Sequence, residues 1–232
     1  MGIVCISLGG SIVSRKNGIN VYYIRKLAKL LRSHVDKNKF IITVGGGYAT
    51  RLYINSAKQI IKNDAVLDEI GIAITRINAL IVKDLFSDMD VYPNIVTDLN
   101  ELRMANKSNN IVLMGGLLPG ISTDAVAILA CEVAGSKVLI NVSKDAYIYD
   151  RSPSEKNAKK LETISHNRMI EVASLRDTRE AGSNFVFDLM AAKLAKRGNI
   201  EVRFVNDDIL QLDMAIRGKK HSGTTVKRMD AN

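Results

Sequence analysis

Short apolar runs of strand length alternate along this chain with longer stretches in which apolar residues recur every three or four positions. Residues 3–8, 40–44, 111–114 and 138–142 are nearly continuous apolar runs. Such runs read as strands of a parallel sheet buried on both faces. Between and after them, helical periodicity covers residues 22–34, 49–61, 69–86, 98–105, 123–134, 167–174 and 188–197, and a last helix ends at Ile216. Residues 201–205 repeat the strand pattern, and Thr224-Thr225-Val226 reads as a final strand. Strand, turn and helix in alternation predict an α/β fold, a three-layer αβα sandwich around a central, mostly parallel sheet.

The turns that follow the strands carry the next signal. The first strand is closed by Gly9-Gly10-Ser11, the second by Gly45-Gly46-Gly47 and the third by Gly115-Gly116, while the fourth ends at Ser143-Lys144. Ligands of open α/β sheets bind outside the carboxyl ends of the strands. A single glycine pair there needs no more than a tight turn, where glycine adopts positive φ without steric cost. Three at equivalent ends point to backbone N–H groups and helix N-termini aimed at phosphate oxygens. Neither G-x-x-x-x-G-K-[ST] nor G-x-G-x-x-G occurs, which removes the P-loop and the dinucleotide-binding readings. The polar section 154–160 reads as an exposed loop, Ala181-Gly182-Ser183 as a turn, and Lys219-Lys220-His221 as a solvated loop.

Composition narrows the picture. With 232 residues, 47% hydrophobic and 25% charged, the chain suffices for one core, and a single domain over 1–232 is expected. No apolar stretch approaches the roughly 20 residues of a membrane span, and the N-terminus lacks a leader pattern, so a soluble, cytoplasmic protein is expected. A net charge of +9 raises the possibility of a nucleic-acid partner. Against it, Lys and Arg are spread along the chain and aromatic residues make up 5%, few platforms for stacking bases. A solvated basic surface or a small anionic ligand accounts for the charge, and no nucleic acid and no membrane are expected as partners. Cys5 and Cys131 sit in apolar sequence like small buried hydrophobes, and His34, His166 and His221 share no ligand-like spacing with them, so no protein metal site is expected.

Seven segments in order resemble the amino acid kinase family and, within it, the archaeal-type uridylate kinases: "SLGGSIV", "VGGGYATRLYI", "LDEIGIAITRINAL", "LMGGLLPGISTDAVAILACE", "SKDAYIYDRSP", "AGSNFVFDLMAAKLAKRGNIEV" and "SGTTV". Gly45-Gly46-Gly47 followed by Ala49, Arg51 and Tyr53-Ile54, and Arg76, Asn78 and Ala79 in "TRINA", carry the likeness to the subgroup. Isopentenyl phosphate kinases usually flank these glycines with histidines; here Val44 precedes them and Tyr48 follows. The resemblance implies transfer of the γ-phosphoryl group of ATP, with Mg2+ held through the nucleotide phosphates, to UMP, giving UDP in pyrimidine nucleotide biosynthesis. It also implies a homohexamer, an acceptor-side lobe up to about residue 150 and an ATP-side lobe from about 151.

Carried over position by position, the resemblance places Gly9, Gly10, Ser11, Gly47 and Arg51 at the ATP phosphates, and Ser143, Lys144, Tyr149 and Asp150 at adenine and ribose. It places Gly46 and Asp68 at UMP, together with the loop Leu118, Pro119, Gly120, Ile121, Ser122, Thr123 and Asp124. Asp124, Arg51 and Gly10 are the expected catalytic residues, Asp124 orienting the donors. The residue types suit phosphoryl transfer, which needs positioning and charge neutralisation more than covalent catalysis. The resemblance also sets Lys193 where some members place a lysine on the ATP side. Other readings of the same residues stand beside these: Asp68 as a helix N-terminal charge, Ser122-Thr123-Asp124 as a helix start and Lys193 as a solvated helix residue.

Two departures from the family pattern matter. Where many members read K-x-G-G-S, this chain has Ser7-Leu8-Gly9-Gly10-Ser11, which leaves Arg15, Lys16, Arg51 or the metal to neutralise developing charge. Where V-D-G is usual, it has Asp145-Ala146-Tyr147, and Ser152 replaces an aspartate before Pro153. The alternatives are a family kinase for another small phosphate or carboxylate acceptor, or a nucleotide- or oxyanion-binding protein without turnover.

Overall fold

The computed structural model describes residues 1–151, 156–175 and 187–229. The expected turn at Ala181-Gly182-Ser183, Ser152, and part of the 154–160 loop lie outside them. In chain order the elements are β1 (Gly2–Leu8), α1 (Gly10–Val13), the hairpin β2 (Ser14–Arg15) and β3 (Gly18–Ile19), α2 (Val21–Arg32), β4 (Asn38–Val44), α3 (Gly47–Ala57) and α4 (Asp64–Asp84). Next come α5 (Leu99–Ser108), β5 (Ile111–Met114), α6 (Thr123–Ala134), β6 (Val138–Val142) and a second hairpin, β7 (Ile148–Tyr149) with β8 (Lys160–Leu161). The chain then runs through β9 (Thr163–Ser165), α7 (His166–Ser174), α8 (Leu189–Gly198), β10 (Glu201–Val205) and α9 (Ile209–Ile216) to β11 (Thr225–Lys227).

Seven strands form one sheet in the order β5-β4-β1-β6-β10-β11-β9. All neighbours are parallel except β10 and β11, which are antiparallel. Strand side chains alternate between the faces. Cys5, Ile41, Val112 and Leu139 therefore meet α5, α6, α7 and α8 in one core. Ile6, Ile42, Leu113 and Ile140 meet α2, α4 and α9 in the other. Two cores on one sheet give the expected three layers. Each fully buried Ile or Leu stabilises this arrangement by about 1.5–3 kcal/mol.

Local chemistry explains where the boundaries differ from expectation. Helix α4 starts at Asp64, five positions before the periodic pattern begins, because the Asn63 side chain accepts from the Ala65 amide. Helix α3 opens at Gly47 itself, since that glycine takes φ +67° at the turn. The two short hairpins went unread in the sequence because strands of two residues leave no alternation to detect.

Candidate functional site

Because β5, β4, β1 and β6 are adjacent and parallel, their glycine-rich carboxyl ends fall side by side. The Gly9 amide donates to Val142 O at 2.8 Å and the Gly45 amide to Leu8 O at 2.9 Å, so the β1 turn sits between those of β4 and β6. Gly10 and Gly47 meet backbone to backbone: a Cβ on Gly10 would stand 2.0 Å from the Gly47 nitrogen. Gly10, Gly45 and Gly47 are therefore required first by each other, whereas Gly9 faces Val142 O and Gly46 the Thr50 side chain; the sequence alone attributed these glycines to approaching phosphates.

What this contact leaves open is a set of donors. Among the described residues, no hydrogen bond engages the amides of Gly10, Ser11, Gly47 or Tyr48. The Ala49 amide, next along α3, is taken by Ser14 Oγ at 3.2 Å. One turn into α3, half-buried Arg51 has no hydrogen-bond or ionic partner among the described residues. Of the other cations considered, Arg15 pairs with Asp207 at 2.9 Å and Lys16 is exposed. Unpaired amides at a helix N-terminus with a free guanidinium form an anion-binding arrangement.

Helix α4 holds two of the turns in place. Asn78, 2% exposed, donates from Nδ2 to Gly45 O at 2.9 Å and Gly46 O at 3.0 Å. The Gly116 amide donates to Thr75 Oγ1 at 2.7 Å, and Arg76 Nε donates to Gly116 O at 3.2 Å. Asp68, on the same helix, accepts from the Gly120 amide at 2.8 Å and so ties α4 to the Leu118–Asp124 loop. Ser122 caps α6 by accepting from the Ala125 amide at 3.1 Å, and its hydroxyl donates to Asp188, the cap of α8. The helix-start reading of Ser122 thus holds, and its hydroxyl is already engaged within the fold.

Beneath the turns lies Asp124. Its Oδ1 accepts from Ser7 Oγ at 2.6 Å and from Asn141 Nδ2 at 2.7 Å, while Oδ2 has no protein partner among the described residues. Burial pushes its pKa up from 3.8 to about 6, Asp188 adds to the rise, and the Ser7 and Asn141 bonds oppose it. Neither Ser7 nor Asn141 was expected as a site residue. The signal was present, though: Ser7, Thr43 and Asn141 each interrupt an apolar run one position before its strand ends.

On the β6 side, Ser143 lies against Gly9, and its hydroxyl donates to Asp145 O at 2.7 Å. Lys144 is exposed. Tyr149 and Asp150 lie on the β7–β8 hairpin, with no hydrogen bond to the glycine turns among the described residues. The Asp150 carboxylate accepts from the Lys159 amide at 2.8 Å, which holds its pKa below the usual value. The departure at Asp145-Ala146-Tyr147 is accommodated there: Ala146 O accepts from the Thr224 amide at 2.8 Å and the Tyr147 ring lies under Lys160 Nζ at 4.6 Å.

A three-layer sheet whose parallel strands end in touching glycine turns, with free amides and an arginine at their rim, defines an α/β protein of the oxyanion-holding class. Residues 2–206 match the Amino acid kinase family, and the chain belongs to that family. It is 34% identical over 226 residues to the uridylate kinase of Thermococcus sibiricus, which covers 97% of this chain and 99% of the relative. It is 32% identical over 217 residues to the uridylate kinase of Archaeoglobus fulgidus, 93% of this chain and 96% of that one. The crystal structure of uridylate kinase from A. fulgidus superposes with a TM-score of 0.84, covering 97% of this chain and all of the other. That of UMP kinase from Ureaplasma parvum, 21% identical, shares the fold with a TM-score of 0.77 over 98% of this chain and 99% of that one.

Proposed function

We propose that this chain is a uridylate kinase, which transfers the γ-phosphoryl group of ATP to UMP in pyrimidine nucleotide biosynthesis. The observation that carries the reading is the open donor set: the amides of Gly10, Ser11, Gly47 and Tyr48 beside Arg51, all without partners among the described residues. Those amides and Arg51 hold the phosphates of the donor and offset charge that spreads over the transferring group. Gly46, Asp68 and the Leu118–Asp124 loop, joined through the Asp68–Gly120 bond, form the UMP side. Ser143, Lys144, Tyr149 and Asp150 form the adenosine side, and the acceptor and nucleotide lobes divide near residue 150.

Among the described residues no group of three or more His, Cys, Asp or Glu side chains gathers to hold a metal ion. A Mg2+ ion at this site fits as one held by the nucleotide's phosphate oxygens rather than by a protein cage. Bound there, it neutralises charge on the β- and γ-phosphates.

Exposed apolar side chains on α3 and α4, Leu52, Tyr53, Ile77, Leu80 and Ile81, support assembly of several copies, as in a homohexamer. No helix among the described residues is long and apolar enough to cross a membrane. The place of work is the cytoplasm, where both nucleotides are available.

The test is ADP release from MgATP with UMP, CMP, AMP, isopentenyl phosphate and acetylglutamate in turn. Turnover on UMP supports the reading. Turnover confined to another acceptor, or none with ATP still bound, overturns it.

A further inference from the structure

One row of the sheet is out of keeping with its surroundings. Strand register sets Thr43, Ser7 and Asn141 side by side on β4, β1 and β6, with Met114 and Phe204 completing the row on β5 and β10. The three polar residues are 1%, 1% and 2% exposed, on the face covered by α6. Thr43 Oγ1 and Asn141 Oδ1 are buried without a partner among the described residues. A buried polar atom left unpaired destabilises a fold, and aliphatic side chains of the same size would pack here without that penalty. The polarity of this row therefore does not serve stability, and an unsatisfied buried group points to a role at a site.

The row's two hydrogen-bonding members both act on Asp124. Ser7 and Asn141 are register partners on the adjacent strands β1 and β6 and donate to the same oxygen, Oδ1, at 2.6 Å and 2.7 Å. The carboxylate is thus anchored by one oxygen into the sheet. The other, without a partner among the described residues, is left at the first turn of α6 where the 118–124 loop ends. No cation contributes to this anchor. Among the described residues the charge that acts on it is Asp188, which caps α8, and the Glu132–Arg197 pair lies more than two turns further along α6. Ser7 itself is too buried to meet a substrate.

We propose that Ser7 and Asn141 are positioning residues for phosphoryl transfer: two neutral donors hold Asp124 in place and keep it ionised at the mouth of the acceptor loop. The proposal rests on the reading of Asp124 as part of the kinase site. It differs from a replacement of the missing lysine's charge, because the group standing at position 7 supplies a hydrogen bond and no charge.

The test combines a pH profile of kcat/KM for UMP with a carboxyl-carbon NMR titration of Asp124 in ligand-free protein, for the wild type, Ser7→Ala, Ser7→Thr and Asn141→Leu. In the wild type the carboxyl and the acid limb of activity are expected to titrate near about 6. Loss of one donor should move both to higher pH by about one unit, a hydrogen bond to an ionised group being worth about a tenfold change in protonation or more. Turnover should then recover in alkaline buffer. Ser7→Thr, which keeps the hydroxyl, should stay close to the wild type. Should Ser7→Ala fail to fold, Asn141→Leu carries the same comparison. Folded variants whose Asp124 titrates where the wild type's does, with any loss of turnover uniform across pH, overturn the proposal. If the wild type turns over no UMP, the kinase reading falls. The NMR titration still decides the anchor: an upward shift in the variants upholds it and an unmoved carboxyl rejects it.

Discussion

A Cβ on Gly47 would stand 2.1 Å from Gly10 O, and one on Gly10 would stand 2.0 Å from Gly47 N, so the turns after β1 and β4 interlock at two glycines that admit no side chain. The contact also fixes the spacing between the free amides of the two turns. Shape here precedes chemistry: the loops close on each other, and the donor set at their rim follows.

Gly10→Ala should cost at least about 3 kcal/mol of stability and abolish turnover, because backbone rather than a flexible side-chain end stands in the way. Gly120 offers a contrast, with φ +76° and no atom within 4 Å of its added Cβ. Gly120→Ala meets only the left-handed backbone penalty and should cost about 1 kcal/mol. Urea unfolding of the two variants distinguishes steric conflict from conformational strain, and equal losses would reject this account.

Asn78→Ala removes both bonds that hold the carbonyls of Gly45 and Gly46. A loss of about 2–3 kcal/mol is expected, since the buried carbonyls are left without those donors. A rise in KM for UMP should accompany it if Gly46 serves the acceptor side as proposed. Unfolding free energy and steady-state kinetics on one preparation check both effects.

Arg51 behaves differently, for it has no partner to lose among the described residues. Arg51→Ala should leave stability within about 0.5 kcal/mol while lowering kcat by about a hundredfold or more. A variant that melts early, or that keeps its rate, would contradict this assignment.

The pH dependence of Asp124 has a definite sign. Its pKa rises from 3.8 in the unfolded chain to about 6 in the fold, so the native state binds more protons than the unfolded state between those values. This carboxyl's contribution to stability is therefore greatest below pH 3.8 and falls as pH rises to about 6. Asp124→Asn should be inactive yet more stable than the wild type above that window, by on the order of 2–3 kcal/mol. The advantage should shrink on acidification and vanish near the lower end of the window. Thermal melts across the range test it, and a constant gap would count against it.

Thr43→Val replaces the unpartnered buried hydroxyl with a methyl group of the same shape. A gain of about 1 kcal/mol is expected, measured by urea unfolding, and an unchanged or lower stability would count against the penalty assigned to that hydroxyl.

The layers of this protein and the turns at its strand ends were legible in the order of its residues. Continuous apolar runs have no stable alternative to strands covered on both faces, and the three-to-four spacing of α2, α6 and α8 commits one side of each helix to that sheet. Glycines after β1, β4 and β5 marked the turns, and the in-order motifs pointed to the family before any contact was known. Which residues those turns meet came only with the packed fold. Gly10 and Gly47 lie 37 positions apart, and nothing local says that each is glycine because of the other. Ser7, Asp124 and Asn141 come from two strands and a helix, and hydrogen bonds of 2.6 Å and 2.7 Å join them only once β1 and β6 pair in register beneath α6. Periodicity reports which way a residue faces, because that is set by its own backbone. Which partner it meets is set by strand order and register, and those emerge from the packing of the whole chain.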